Sequence, residues 1–359
     1  MKTLEDVIEK YNRYLTIPEC VYHQYYEYVI ILKKLVDIVT DENREVYDKK
    51  YARYTGNKFY VEKIFDVNDL EECLRQSMAD GFEYVVGQEF ICEKEYFLTI
   101  EPAYYRAIYY EIDYNAITDA EYKEWNDDGR LIKDYIYING KTNGKFYKWH
   151  TNGILAEECE YKNNNPYGNW LKWYDNGNKK SDHEYDSIGC IRGTEWHDNK
   201  QTSLEFAYER IKGKRCLKKW LEWYKDGTKK SEEYGNGDKK IWFKNGKLQS
   251  HRYFDGIPIN GLEVFEQWYE NGNQKSYFKS DGEFPSNWED NSGKYIEWFE
   301  NGNRKLECVT INGGTYDEQY LKWYENGKLA EETLYNNGVR LKSIKWNEDG
   351  VIIDIFKVE

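Results

Sequence analysis

A tryptophan followed four residues later by a glycine recurs along most of this chain, and nothing else in the sequence restricts the fold so tightly. The clearest units read Trp173-Tyr174-Asp175-Asn176-Gly177, Trp223-Tyr224-Lys225-Asp226-Gly227, Trp268-Tyr269-Glu270-Asn271-Gly272, Trp298-Phe299-Glu300-Asn301-Gly302 and Trp323-Tyr324-Glu325-Asn326-Gly327. Four more keep both anchors: Trp125 with Gly129, Trp149 with Gly153, Trp242 with Gly246, and Trp346 with Gly350. Trp196 to Lys200 is a tenth, decayed copy, with Lys200 where a glycine is due. The nine intervals from Trp125 to Trp346 average about 25 residues, the range of repeat architectures.

Each unit reads as a β-hairpin. Asn-Gly and Asp-Gly favour tight reversals because glycine, and less readily Asn or Asp, accepts the positive φ of a type I′ turn; a three-residue loop closed by a glycine bulge uses the same residues. Ahead of the turn, apolar residues alternate, as in Tyr147 and Trp149, Leu171 and Trp173, Leu221 and Trp223, Ile296 and Trp298, Leu321 and Trp323, and Ile344 and Trp346. Period two predicts one dry face carrying these pairs, with the intervening Lys or Glu facing water. A second turn signal follows at Asn139-Gly140, Asn236-Gly237, Asp255-Gly256, Asp281-Gly282, Asn312-Gly313 and Asn337-Gly338. Two turns per period make two strands per period, hence an elongated antiparallel meander over 121–359.

A lone hairpin is marginal in water, so the units must lean on one another. The expected repeat core is the row Trp125, Trp149, Trp173, Trp196, Trp223, Trp242, Trp268, Trp298, Trp323 and Trp346. Trp223→Ala and Trp268→Ala are expected to cost about 3–5 kcal/mol. The aromatics directly after the tryptophan, Tyr174, Tyr224, Tyr269, Phe299 and Tyr324, either pack on the next hairpin or line an exposed ribbon that would bind glycans or related groups.

Residues 1–120 differ in character and are expected to form a small α+β or helical domain that caps the array. Leu4, Val7, Ile8, Tyr11 and Leu15 share a helical face, and helical spacing also predicts helices over 22–39 and 66–79. Strands are expected at Phe59–Phe65, Phe82–Val86, Tyr96–Ile100 and Tyr104–Ile112. At the far end, Val351 to Phe356 reads as an edge strand that must be covered, paired in a homodimer or left open.

The formal charge of -14 argues against nucleic-acid binding and against docking on anionic lipid. Seven cysteines without a C-x-x-C pair look like reduced intracellular thiols, and the aliphatic stretch Val29 to Leu32 is too short for a signal or membrane span. A cytoplasmic location is expected. His23, His150, His183, His197 and His251 are scattered, with no H-E-x-x-H and no zinc spacing, so no metal or cofactor is expected. The carboxylate pairs Glu157-Glu158, Glu232-Glu233 and Glu331-Glu332 suggest glycosidase chemistry, but neighbours on a strand point to opposite faces. Cross-strand pairing with Lys179, Lys180, Lys229 and Lys230 accounts for them better. A non-enzymatic chain is expected.

The repeated Trp-Tyr-x-Asn-Gly-x-x-Lys or Leu, followed by Glu-rich strands and Tyr, resembles the MORN-repeat variant of YwqK-type antitoxins and of repeat proteins encoded by giant amoebal viruses. The resemblance covers about residues 115–350. It implies a mainly β hairpin-repeat fold serving as a protein-interaction scaffold, in host cytoplasm or virion if the source is viral. The sequence keeps only the two turn glycines of each repeat, so a lipid-binding role ascribed to some members is not implied.

Overall fold

The computed structural model describes residues 2–78, 81–115, 119–255, 262–280, 292–311 and 315–358. The chain divides into two compact units, residues 1–190 and 191–359. The second-turn glycines Gly256, Gly282 and Gly313 lie outside the described residues.

The first unit opens with helix α1 (Leu4–Leu15), capped by Thr3, whose hydroxyl accepts from the Asp6 amide while the Asp6 carboxylate takes the Thr3 amide. Strands β1 (Cys20–Tyr25), β2 (Tyr28–Lys34), β3 (Arg53–Asp66) and β6 (Glu89–Phe97) close a small antiparallel barrel, and β4 (Arg75–Ser77) pairs with β5 (Glu83–Val85). Helix α2 (Ile100–Asn115) leads into β7 (Asp119–Trp125), the first array strand.

Three expectations for this region are overturned. The apolar run at 22–39 is not a helix but the β1–β2 hairpin. Val29, Ile30, Ile31 and Leu32 are all fully buried, Val29 and Ile31 in one core cluster and Ile30 and Leu32 in the other. Burial on both sheet faces makes a strand read as continuous rather than alternating. Of the helix expected over 66–79, the described residues 66–78 form none: Asp66 and Asp69 accept from the amides two residues on, at 2.8 and 2.7 Å, and Leu70 takes φ 61°. These are turn bonds, which compete with a helix start. Tyr104–Ile112 lies in α2, not in a strand, because Ile100, Ala103, Tyr104, Ala107 and Ile108 form one buried stripe at helical spacing. Its tyrosines suggest sheet by propensity, and the packing overrides that.

From Asp119 the chain is an antiparallel meander of twenty strands ending at Ile352–Lys357. The fold is mainly β with an α+β head, as the sequence predicts.

Candidate functional site

The Trp turns share one hydrogen-bond pattern. At each Trp unit the glycine amide donates three residues back and the residue after the Trp donates four residues on, as in Gly177 to Tyr174 and Tyr174 to Asn178, both 2.9 Å. Of the residues that follow each Trp as far as the glycine position, only the last has positive φ, Lys200 at 72° taking the glycine's place. These are three-residue loops closed by a glycine bulge. The secondary turns differ: Asn139 and Gly140 have φ of 52° and 67°, and Asn337 and Gly338 48° and 80°, the type I′ signature.

Asparagine before the glycine serves two purposes. Its Oδ1 accepts from the amide two residues on, at 2.9 Å for Asn301 to Asn303. Its Nδ2 donates to a carbonyl in the next turn: Asn152 to Asp175 at 2.7 Å, Asn199 to Lys225 at 2.8 Å, Asn271 to Glu300 and Asn301 to Glu325 at 2.9 Å each. Asn245 and Asn326 make longer versions of this bond. Asp226 fills the same position with an acceptor only. Sequence reading credited asparagine with turn geometry and missed this ladder, which the regular 25-residue spacing could have suggested.

In five units the residue after the Trp also reaches forward. Tyr224 donates to the Trp242 carbonyl at 3.2 Å, Tyr269 to that of Trp298 at 3.0 Å and Tyr324 to that of Trp346 at 2.8 Å. His150 and His197 occupy the same position and bond to the carbonyls of Trp173 and Trp223. Tyr174, Tyr224, Tyr269, Phe299 and Tyr324 are all half-buried; none is an exposed platform.

All ten tryptophans are likewise half-buried. Register places each on one face with the residue two before it, while residues one and three before it share the other face: Lys172 lies opposite Ser181 and Trp170 opposite His183. Most buried repeat residues among those described fall on that second face, including Tyr122, Tyr135, Cys159, Ser181, Phe206, Cys308, Thr333 and Ser343. Among the described residues Val264 and Ile296 are the buried ones of the Trp face. The expected division into a dry Trp face and a wet Lys/Glu face therefore does not hold. The reason is a second aromatic row three residues before the Trp, at Tyr122, Phe146, Trp170, Trp220, Phe265, Tyr295 and Tyr320. Rings meet at 4.8 Å for Tyr122–Tyr135, 5.3 Å for Tyr135–Phe146 and 5.5 Å for Phe206–Trp220.

The paired carboxylates separate as strand geometry requires. Glu157 lies opposite Lys172 and Glu158 opposite Leu171. Glu232 contacts Lys229 at 2.6 Å, Glu233 Lys239 at 2.8 Å, and Lys230 Glu222 at 3.0 Å, while Lys179 pairs with Asp182 at 2.5 Å. Burial pushes the thiols of Cys159 up to about 12 and of Cys308 up to about 11, far from nucleophilic thiolates. His23 sits in the N-terminal barrel with Nδ1 2.6 Å from the Glu95 carbonyl, and burial lowers its pKa to about 4. Among the described residues no cluster of His, Cys, Asp or Glu could hold a metal ion, and no helix is long and apolar enough to cross a membrane.

At the two ends of the chain the array meets different surroundings. The head docks on the first turn: the amides of Tyr47 and Asp48 donate to the Asp128 carbonyl at 3.0 Å, Arg44 reaches the Asp128 carboxylate at 2.9 Å, and Tyr51 stacks on Trp125 at 4.8 Å. The strand Ile352–Lys357 instead exposes Ile352, Ile353 and Ile355 by 50–63 %, with Val351 and Val358 flanking them.

The MORN repeat variant family matches residues 142–163 and 319–337. No curated protein matches. Among solved structures, a mutant Tc holotoxin pore of Photorhabdus luminescens is similar at 8% identity over 83% of this chain and 18% of that chain, with a TM-score of 0.16. A crystal structure of TcdB2-TccC3 is similar at 10% identity over 87% and 20% of the two chains, TM-score 0.14. The chain thus spans less than a quarter of the length of those proteins.

Proposed function

We propose that this chain is a non-enzymatic scaffold whose hairpin array holds protein partners inside the cell, in keeping with MORN repeats, which generally serve protein or membrane interaction. The observation that carries the reading is the aliphatic strand Ile352–Lys357. Val351, Ile352, Ile353 and Ile355 are 50–63 % exposed along and beside this one strand, and a cluster of exposed apolar side chains marks an interaction site.

The test combines light scattering with affinity capture of the full chain and of an Ile353→Asp, Ile355→Asp double variant. Thermal unfolding of both proteins controls for stability. Loss of a captured partner, or of a dimer, in the folded double variant supports the scaffold reading. Identical behaviour of the two proteins overturns it. A concentration-dependent doubling of mass would identify the partner as a second copy. The reading of the second-position aromatics as a glycan-binding ribbon is disfavoured by their half-burial and by the hydroxyl bonds of Tyr224, Tyr269 and Tyr324.

A further inference from the structure

In the second unit the aromatic row on the face opposite the repeat tryptophans lacks a ring at Gly193, Lys239 and Ser343, and of these only Lys239 has a charged cross-strand partner, Glu233. The strands Lys229–Tyr234 and Lys239–Trp242 have six and four residues, and along the cross-strand row Trp220, Glu233, Lys239, Arg252, Phe265 no ring stands between Trp220 and Phe265. Removing rings from a packed row leaves space, and a cavity of about 530 Å³ opens at this place. That is within the size range of small-molecule sites, roughly 300–1,000 Å³.

Its walls combine two kinds of chemistry. Tyr208, Trp220 and Tyr224 supply rings, and Trp220 is held by stacking on Phe206 with centroids 5.5 Å apart. Glu222, Glu233, Lys230 and Lys239 supply charge that is already balanced: Lys230 is 3.0 Å from Glu222 and Lys239 is 2.8 Å from Glu233. Trp220 Nε1 donates to Glu222 at 3.0 Å, which fixes the indole. A charged ligand would have to displace one of these ion pairs. A neutral polyol would not, because a carboxylate offers about four lone-pair sites and an ammonium three donors, so pairing balances their charge and leaves hydrogen-bonding capacity unspent.

From this combination we propose that the cavity around Trp220 is a binding site for a neutral saccharide, one sugar ring lying against the aromatic wall and its hydroxyls bridging the Glu222–Lys230 and Glu233–Lys239 pairs. This goes beyond the scaffold reading and does not rest on it. It also differs from a ribbon of rings, since it places one site at one interruption.

The test uses the full chain with maltotriose, cellotriose and chitotriose as probes, read by saturation-transfer NMR and indole fluorescence, with arginine methyl ester as the charged comparison. One of the three sugars is expected to bind in the millimolar range typical of a single shallow site. Binding should weaken at least tenfold in Glu233→Ala and in Trp220→Leu, and persist in Trp323→Phe, which lies away from the cavity. Circular dichroism identifies variants that fail to fold, and Lys239→Ala replaces either one that does. No saturable binding by any of the three sugars, binding unchanged in the folded Glu233 and Lys239 variants, or preferential binding of arginine methyl ester overturns the proposal.

Discussion

Tyr269→Phe isolates the link between successive hairpins, because it removes one hydroxyl and no packing volume. In the wild-type chain that hydroxyl donates to the Trp298 carbonyl at 3.0 Å across the repeat boundary. A neutral hydrogen bond contributes about 0.5–1.5 kcal/mol net, and because Tyr269 is half-buried water reaches the freed carbonyl, so the lower half of that range applies. In a repeat array the loss falls on a nearest-neighbour interface. A change of about 1 kcal/mol corresponds to about a fivefold rise in local opening. Hydrogen exchange should therefore show the amides of Gly293–Trp298 and Arg304–Ile311 opening several-fold faster, with those of Leu131–Ile138 unchanged. Phe299→Tyr is the reciprocal experiment, since it places a hydroxyl where the next carbonyl, that of Trp323, awaits one; it should slow exchange by a similar factor. Unchanged exchange in both variants would refute the idea that this position couples the hairpins.

Other expectations rest on burial and conformation. Phe206→Ala, at 7% exposure, should cost about 3–5 kcal/mol, more than Trp223→Ala, whose half-buried indole brings the cost down to about 1.5–3 kcal/mol; urea unfolding that ranks them the other way would restore the Trp row as the core. Gly129→Ala should detach the head from the first turn, because a Cβ there would lie 2.2 Å from the Asp48 carbonyl on a residue at φ 83°; limited proteolysis between 40 and 55 should accelerate. His23 has a folded-state pKa of about 4 against an ordinary 6.5, so the neutral form stabilises the head above about pH 6.5 and that contribution is lost as pH falls toward 4. His23→Gln should flatten that part of the pH–stability curve, measured by thermal unfolding from pH 7 to 4. Asp226→Asn supplies the amide donor missing from the turn ladder and should stabilise the second unit by about 0.5 kcal/mol.

The hairpins were legible because their signals are local. A turn glycine, the asparagine before it and an alternating strand each act within a few residues, and all ten Trp turns form where they were expected. The head was less legible because its decisive contacts are not local: Val29 to Leu32 face two different core clusters, and Tyr104 and Tyr105 of α2 are buried in one cluster with Cys20, Tyr22 and Ala120. Within the array the face assignment failed for a related reason. Lysine and glutamate between apolar residues were read as water-facing, whereas cross-strand pairing lets Glu157, with its side chain only 17% exposed, sit beside Lys172 on the more buried face.

The turn ladder also gives the array a direction. Each side-chain amide donates toward the C-terminal neighbour, and the residue after the glycine helps, as Asn273 and Asn303 do to the carbonyls of Glu300 and Glu325. The turn at Trp346–Gly350 receives from Asn326 and Lys328 but carries Asp349 and Val351 at its two donor positions. A carboxylate and an isopropyl group have no proton to give, so a further hairpin set against this turn would gain no side-chain bond from these two positions. Replacing both, Asp349→Asn with Val351→Asn, should therefore leave the wild-type stability almost unchanged, yet stabilise a chain to which a copy of 323–346 has been appended. Equal effects of the double replacement in both chains would show that the bonds between turns do not propagate along the array.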